Sequence, residues 1–175
     1  LVYQDRINMF LAEHGQRYNF DFINHIFENL SFTYHTQHSD SQNIPATGRV
    51  IIIANHPLGA LDGLALLHLV GSIRRDVKII ANDILIQISP LSGLMLPVDT
   101  MGGETGRRDV SRIHAALENE QAVIVFPAGE VSRAGAKGIR DRKWNAGFLR
   151  FAERAQAPLL PIRIKARNSG FFYAC

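Results

Sequence analysis

The chain has 175 residues, of which 46% are hydrophobic and 20% charged, a composition that excludes an intrinsically disordered protein and favours one domain with its own core. The formal net charge is only +3. The single cysteine, Cys175, excludes a disulfide framework within one chain and favours a reducing, cytoplasmic compartment. We expect neither a signal peptide nor a membrane-spanning helix in this sequence, because no apolar run approaches the ~20 residues that such a helix needs.

Residues 1–48 are predicted to be a helical segment of the same domain as the rest of the chain. Apolar side chains recur at helical spacing at Ile7, Phe10 and Leu11, and again between Phe20 and Leu30, so helix is predicted across residues 1–37. Residues 38–48 are polar and end in Pro and Gly, which predicts a loop.

Residues 49–175 are predicted to form an α/β core, because short aliphatic runs alternate with amphipathic stretches. The expected fold is a mostly parallel sheet flanked by helices. Strands are predicted at 49–54, 77–81, 94–99, 122–126 and 159–165. Helices are predicted at 62–70, 82–88, 109–119 and 145–155. The abrupt end after a strand-like segment suggests a fragment truncated at the C-terminus.

A histidine and an aspartate lie six positions apart after the first predicted strand, in the stretch ANHPLGALDG. His56 follows the carboxyl end of that strand, where open α/β sheets place their ligands. Pro57 and Gly59 predict a turn that returns Asp62 to the imidazole. A carboxylate there would fix the tautomer and leave the other ring nitrogen free to accept a proton. The alternative is an aspartate that only caps the next helix.

The strand 122–126 also opens into a glycine-containing loop, FPAGEVSRAG, which should lie near His56. Gly129 allows close approach of the backbone. The basic side chains that follow can bind phosphate, and they are Arg133, Lys137, Arg140, Arg142 and Lys143. Basic residues outnumber acidic ones between 130 and 167, which favours an anionic partner. The alternative is a solvated basic surface loop.

Four further patterns carry weaker predictions. Arg107 and Arg108 follow glycines at the start of a predicted helix, which is typical of an anion site but lacks the spacing of a Walker loop. No metal site is predicted, because His35 and His38 lack further ligands at suitable spacing. Nucleic acid is not an expected partner, since Trp144 alone interrupts the basic run with an aromatic ring. The remaining histidines are predicted at helix surfaces or boundaries, and they are His14, His25, His68 and His114.

Four blocks in order resemble the glycerolipid acyltransferase family, the lysophosphatidate-acyltransferase-like enzymes. They read NHPLGALDG, LPVDTMGGETGRR, VIVFPAGEVSR and APLLPIRI. The chain looks most like the branch of hemolysin-type and ornithine-lipid-type acyltransferases, and the resemblance covers residues 49–165. It implies a glycerol-phosphate-acyltransferase-like fold. It also implies transfer of a fatty acyl group from acyl-CoA or acyl carrier protein to a hydroxyl or amine of a lipid acceptor, without metal or cofactor.

The resemblance also implies roles for individual residues. His56 would be the general base, Asp62 its partner, and Arg107 or Arg108 the acceptor-binding arginine. Pro161 would lie on a strand under the site. The block expected to contact the polar head of the acceptor contains Phe126, Pro127, Gly129, Glu130 and Arg133. Lys143, from the basic loop and not from the resemblance, is a further expected substrate-binding residue.

The chain departs from the common family pattern at each of three blocks. Five residues instead of four separate His56 from Asp62, Ala128 stands where Glu is common, and Thr100 follows Asp99 where Arg is common. These departures argue against assuming a glycerol-3-phosphate or lysophosphatidate acceptor. Two alternatives stay open, a non-enzymatic domain that binds anionic lipid and a thioesterase or esterase. The expected location is the inner face of the membrane, with peripheral contact to anionic lipid.

Overall fold

The computed structural model describes residues 15–81, 88–98, 107–135 and 138–168. The predictions for residues 1–14, 82–87, 99–106 and 169–175, and the phosphate-binding role predicted for Lys137, lie outside these ranges. The division at residue 48 stays a prediction.

A five-stranded parallel sheet forms the centre of the described fold, which confirms the predicted α/β class. Its strands are β1 (Val50–Ala54), β2 (Val77–Ala81), β3 (Met95–Pro97), β4 (Ala122–Val125) and β7 (Leu159–Ile162). Their order across the sheet is β3, β2, β4, β1, β7. Every residue of β1 is buried, because this strand is covered on both faces.

Helices cover both faces of this sheet. The described helices are α1 (Phe20–Leu30), α2 (His38–Ser41), α3 (Ala60–Gly71), α4 (Arg107–Glu118) and α5 (Gly147–Ala155), with a 3-10 helix at Ser89–Leu94. Neighbouring residues of β1 point to opposite faces. Ile52 therefore packs in a core with residues of α1 and α3, whereas Ile51 packs in a second core with residues of α4 and α5.

Four local predictions are corrected by the structure. The first helix ends at Leu30 because Ser31 adopts a left-handed conformation, with φ of 49°, and its N–H bonds back to Glu28. Residues 32–37 are therefore not helical. The predicted loop 38–48 contains the short helix α2. The basic loop contains an antiparallel hairpin, β5 (Arg133–Gly135) and β6 (Gly138–Arg140). His114 is 8% exposed and packs edge-on against Phe151, so it is a core residue.

None of the helices in the described ranges combines the length and the apolar composition needed to span a bilayer.

Candidate active site

The site is built where two neighbouring strands end side by side. In the parallel register, Ile53 of β1 lies opposite Val125 of β4. The residues that follow, His56 on one side and Phe126 on the other, therefore meet at the carboxyl edge of the sheet. Asn55 holds the first turn in place, because its side chain accepts a hydrogen bond from the N–H of Ile164 and donates one to its carbonyl.

The side chains of His56 and Asp62 are within hydrogen-bond reach. Nδ1 of His56 lies 3.1 Å from Oδ2 of Asp62, and the two side chains are 17% and 1% exposed. A carboxylate only accepts, so this contact places the proton on Nδ1 and leaves Nε2 as the basic nitrogen. No described residue hydrogen-bonds to Nε2.

Asp62 also stabilises the start of α3, although it is not the N-cap residue. The N-cap is Gly59, and Asp62 is the third helical residue. Its Oδ2 accepts hydrogen bonds from the backbone N–H groups of Leu58, at 2.7 Å, and Gly59, at 3.1 Å. A carboxylate in the first helical turn also interacts favourably with the helix dipole. The capping and the histidine-orienting roles are therefore combined in one oxygen atom.

Gly59 accommodates the extra residue between His56 and Asp62. Its φ is +77°, a conformation that side chains with a Cβ rarely adopt, and a Cβ there would lie 3.2 Å from Val131. The turn at Gly59 allows the longer loop to return Asp62 to the imidazole. The additional residue therefore does not separate the two side chains.

Phe126 fixes the plane of the His56 ring. The two ring centroids are 3.9 Å apart and the planes differ by 21°, which is a stacked arrangement. The ring is thus held by stacking on one face and by Asp62 at Nδ1. Its orientation is set before any substrate binds.

An apolar cavity of about 220 Å³ lies beside His56. Its walls come from α3, the ends of β2 and β4, and the 3-10 helix. The lining residues include Gly63, Leu64, Leu67, Ile79, Ile88, Leu91, Met95, Val125, Phe126 and Gly129. Among the described residues that line it, His56 alone has a titratable side chain. A reactive group at the end of an apolar cavity suits a substrate with a long hydrocarbon chain.

A second, larger cavity of about 760 Å³ lies on the other side of the α3 start. It is bordered by Asp62, the segment 32–44 and the edge strand β7, but not by His56. The first cavity is therefore the one that offers the imidazole to a ligand.

The basic segment is anchored directly to the His56 loop. The N–H of Ser132 donates to the carbonyl of His56 at 2.8 Å. Oδ1 of Asp141 accepts from the N–H of His56 at 3.2 Å and from the Ser132 hydroxyl. Oδ2 of Asp141 accepts from the indole N–H of Trp144 at 2.9 Å. The sequence analysis missed both Ser132 and Asp141. The one sequence feature that could have identified Asp141 is its position as an acidic residue between Arg140 and Arg142.

The residues predicted to bind the polar groups of the substrate fall into three sets. Two line the His56 cavity, one is buried away from it, and the charged ones lie at the surface and are described in the next paragraph. Phe126 and Gly129 line the His56 cavity. Pro127 is buried and does not line it, and its carbonyl accepts a hydrogen bond from the N–H of Asn145. The N–H of Gly129 bonds to the carbonyl of Phe126, so it is not free to stabilise an oxyanion.

Charged residues of the hairpin and of the segments that flank it, which together are called the cationic hairpin below, pair with one another at the surface. Glu130 lies 2.7 Å from Nε of Arg142 and 3.7 Å from Nε of Arg133. The two arginines are 71% and 57% exposed, and Lys143 is also exposed. The structure thus presents a cationic surface next to the His56 loop. On this surface Glu130 pairs with Arg133 before the hairpin turn and with Arg142 after it.

The two arginines of the second block lie at the first turn of α4. Arg108 is exposed, and the side chain of Arg107 lies outside the described part of the structure. Pro161 lies in β7 opposite Ile53, under the His56 loop. The roles assigned to all these residues stay predictions.

Comparison with known proteins decides the family. A family model described as Acyltransferase matches residues 1–175. The chain belongs to this acyltransferase family. The resemblance to lipid acyltransferases is therefore confirmed, whereas the narrower hemolysin-type label stays a prediction.

Two curated relatives of this chain are both named lyso-glycine lipid O-acyltransferase. The one from Phocaeicola vulgatus is 30% identical over 175 residues, and the one from Bacteroides thetaiotaomicron is 32% identical over 175 residues. The alignments cover 99% of this chain but 61% and 63% of the relatives, so the chain spans about three fifths of their length. No solved structure matches the chain.

Proposed function

We propose that this acyltransferase moves a fatty acyl group from a thioester to the hydroxyl of a lyso-lipid, with His56 as general base. The observation that supports this proposal most directly is the His56–Asp62 pair at the edge of an apolar cavity, in which Nδ1 of His56 lies 3.1 Å from the carboxylate. The names of the two relatives support an oxygen acceptor on a lipid.

The reaction needs one proton to move twice. Nε2 of His56 takes the proton of the acceptor hydroxyl while that oxygen attacks the thioester carbonyl carbon. Asp62 stabilises the imidazolium that forms. The tetrahedral intermediate then collapses, the carbon–sulfur bond breaks, and the thiolate leaves with the proton from Nε2. The products are an ester and a free thiol, and no covalent bond to the protein forms.

The apolar cavity would hold the acyl chain of the donor. The described residues that line it are apolar apart from the imidazole of His56, so burial of each methylene there contributes about 0.8 kcal/mol to binding. A chain seated in this cavity would place its thioester carbonyl beside the imidazole. The acceptor would then approach from the opening next to the hairpin.

The exposed cations of the hairpin would bind the anionic parts of the substrates. The phosphates of CoA, the acidic surface of a carrier protein and the carboxylate of an amino-acid lipid all suit arginine, whose guanidinium binds two oxygens at once. Exposed Trp144, next to Lys143, would place an aromatic ring at the headgroup level of the bilayer. We therefore also propose peripheral contact with the anionic, inner membrane face.

Thiol release measured with acyl-CoA and with acyl carrier protein tests the proposal. Each donor is offered with a panel of lyso-lipids that carry glycine, ornithine, phosphate or choline headgroups. The proposal expects thiol release that depends on the acceptor, with a matching amount of ester. Release of free fatty acid without an acceptor would show a thioesterase instead. Vesicle binding without thiol release from any donor would show a lipid-binding domain.

A further inference from the structure

Asp141 stands out because it is an acidic residue in a basic segment, half-buried, and bonded to the backbone of the residue that carries the imidazole. Its two carboxylate oxygens accept hydrogen bonds from three groups, the His56 N–H, the Ser132 hydroxyl and the Trp144 indole. The carboxylate of Asp141 therefore joins three groups that lie apart in the sequence.

Ser132 and Asp141 hydrogen-bond to both backbone groups of His56, the carbonyl and the N–H, and so hold its backbone in place. The carbonyl is held by the N–H of Ser132 at 2.8 Å, and the N–H by Asp141 at 3.2 Å. Ser132 is 3% exposed and also bonds to Asp141, so the three residues form one closed network. Asp62 and Phe126 orient the ring, whereas Asp141 and Ser132 hold the backbone from which the ring projects.

We propose that Asp141 is a positioning residue that sets the place of the His56 imidazole and couples it to the cationic hairpin. This inference rests on the proposed function. Asp141 follows β6 directly, and Arg142, next in the chain, pairs with Glu130. An anion bound by the hairpin cations would therefore stabilise the same short segment that fixes His56. Catalytic groups need placement to within about 0.5 Å, and a displacement of 1 Å costs about 10²-fold in rate.

The test compares Asp141→Ala with Glu118→Ala, which removes an exposed carboxylate at the end of α4, at the amino edge of the sheet and opposite the edge that carries His56. The expected result is a kcat lowered by about 10–10²-fold with KM changed by less than about 3-fold, while the control keeps the wild-type rate. The decisive measurement is the double variant Asp141→Ala/His56→Ala, followed with a radiolabelled acyl donor. Because Asp141 acts through His56, its removal should lower the residual rate no further than about 2-fold.

Two results would overturn the inference. One is an Asp141→Ala effect that is the same size with and without His56, and the other is an effect confined to KM. Should Asp141→Ala fail to fold, Ser132→Ala and Asp141→Asn replace it, because both keep the overall shape and weaken the same network. The proposed function fails separately, if His56→Ala alone retains the wild-type rate of ester formation.

Discussion

The imidazole of His56 and the carboxylate of Asp62 contact each other at 3.1 Å across a loop that includes a positive-φ glycine at position 59. The same carboxylate oxygen accepts two backbone N–H groups at the start of α3. The helix N-terminus thus fixes the carboxylate, and the carboxylate fixes the histidine tautomer. Phe126 limits rotation of the ring by stacking on it.

Replacing Asp62 with Asn should impair turnover while the protein stays folded. The amide oxygen can still accept from Leu58 and Gly59, so the helix start is kept. The negative charge that stabilises the imidazolium is lost, and kcat should fall by about 10²–10⁴-fold. The measurement is the initial rate of ester formation at saturating acceptor, with circular dichroism as the folding control. A loss below about 3-fold would leave Asp62 as a helix-stabilising residue only.

The length of the transferred acyl chain should respond to side chains that line the cavity. A Cβ at Gly63 would lie 3.1 Å from Ile79 and 3.8 Å from Phe126, both of which line the cavity. Gly63→Ala should therefore favour shorter chains, and Met95→Ala should favour longer ones. Each methylene that no longer fits changes the ratio of kcat/KM values by about 10-fold or more.

The matched comparison for chain length is a series of acyl donors that differ by two carbons. Opposite shifts in the two variants support the cavity as the acyl-chain site. Identical chain-length profiles in Gly63→Ala, Met95→Ala and the wild type would place the acyl chain elsewhere.

Removing cations from the hairpin should weaken binding of anionic substrates and membranes. Arg133 is exposed, and Lys143 is exposed beside Trp144. The double variant Arg133→Gln/Lys143→Gln should raise KM for an anionic acceptor, and each lost charge should cost about 1 kcal/mol of binding to anionic vesicles.

Arg49→Gln is the control for this experiment. Arg49 precedes β1, at the opposite end of the sheet from His56, and pairs with Glu120. Vesicle sedimentation at low and high salt separates the variants. Equal vesicle binding by the hairpin variant and the control would exclude the hairpin as the anionic-lipid surface.

Two histidines in the described fold should make stability depend on pH. Burial, with help from Arg154, lowers the pKa of His114, and burial together with Arg75 lowers the pKa of His68. The pKa of a histidine in the unfolded chain is about 6.5, so below this pH the unfolded chain binds more protons than the folded one. The stabilisation is therefore present above about pH 6.5 and is lost as the pH falls from there toward the lower, folded-state values.

Urea unfolding at about pH 7 and about pH 5 checks this prediction, with His114→Gln as the test variant. The free energy of unfolding should be lower at the acidic pH, and the difference should shrink in His114→Gln. A difference of unchanged size in the variant would show that His114 does not contribute.

The sequence predicted the five strands of the central sheet because their residues are mainly apolar, whereas the short, charged strands β5 and β6 of the hairpin were missed. The run Val50–Ala54 is buried on both faces, so its hydrophobicity alone identifies it. The His56–Asp62 contact was also predictable, because a strand end, a Pro-Gly turn and a helix start constrain the chain to a short path. Phe126 was identified as a site residue, but its stacking on the imidazole was not, because ring geometry depends on strand order.

The cavity, Asp141 and Ser132 could not be predicted from the sequence. The sequence leaves open which of the five strands neighbours β1, and the register of Ile53 with Val125 decides that the hairpin lies against His56. Asp141 contacts a residue 85 positions earlier in the chain, and no local pattern encodes that contact. The prediction that His114 lies at a helix surface or boundary was wrong, because its polar side chain gives no sign that it is buried between α4 and α5.

The most direct test of the account is acceptor-dependent ester formation by His56→Ala beside the wild type, with equal unfolding midpoints as the control. If Nε2 of His56 removes the acceptor proton, the variant should be slower by about 10²–10⁴-fold, with little change in donor binding. A His56→Ala protein that forms ester within about 3-fold of the wild-type rate would contradict the account.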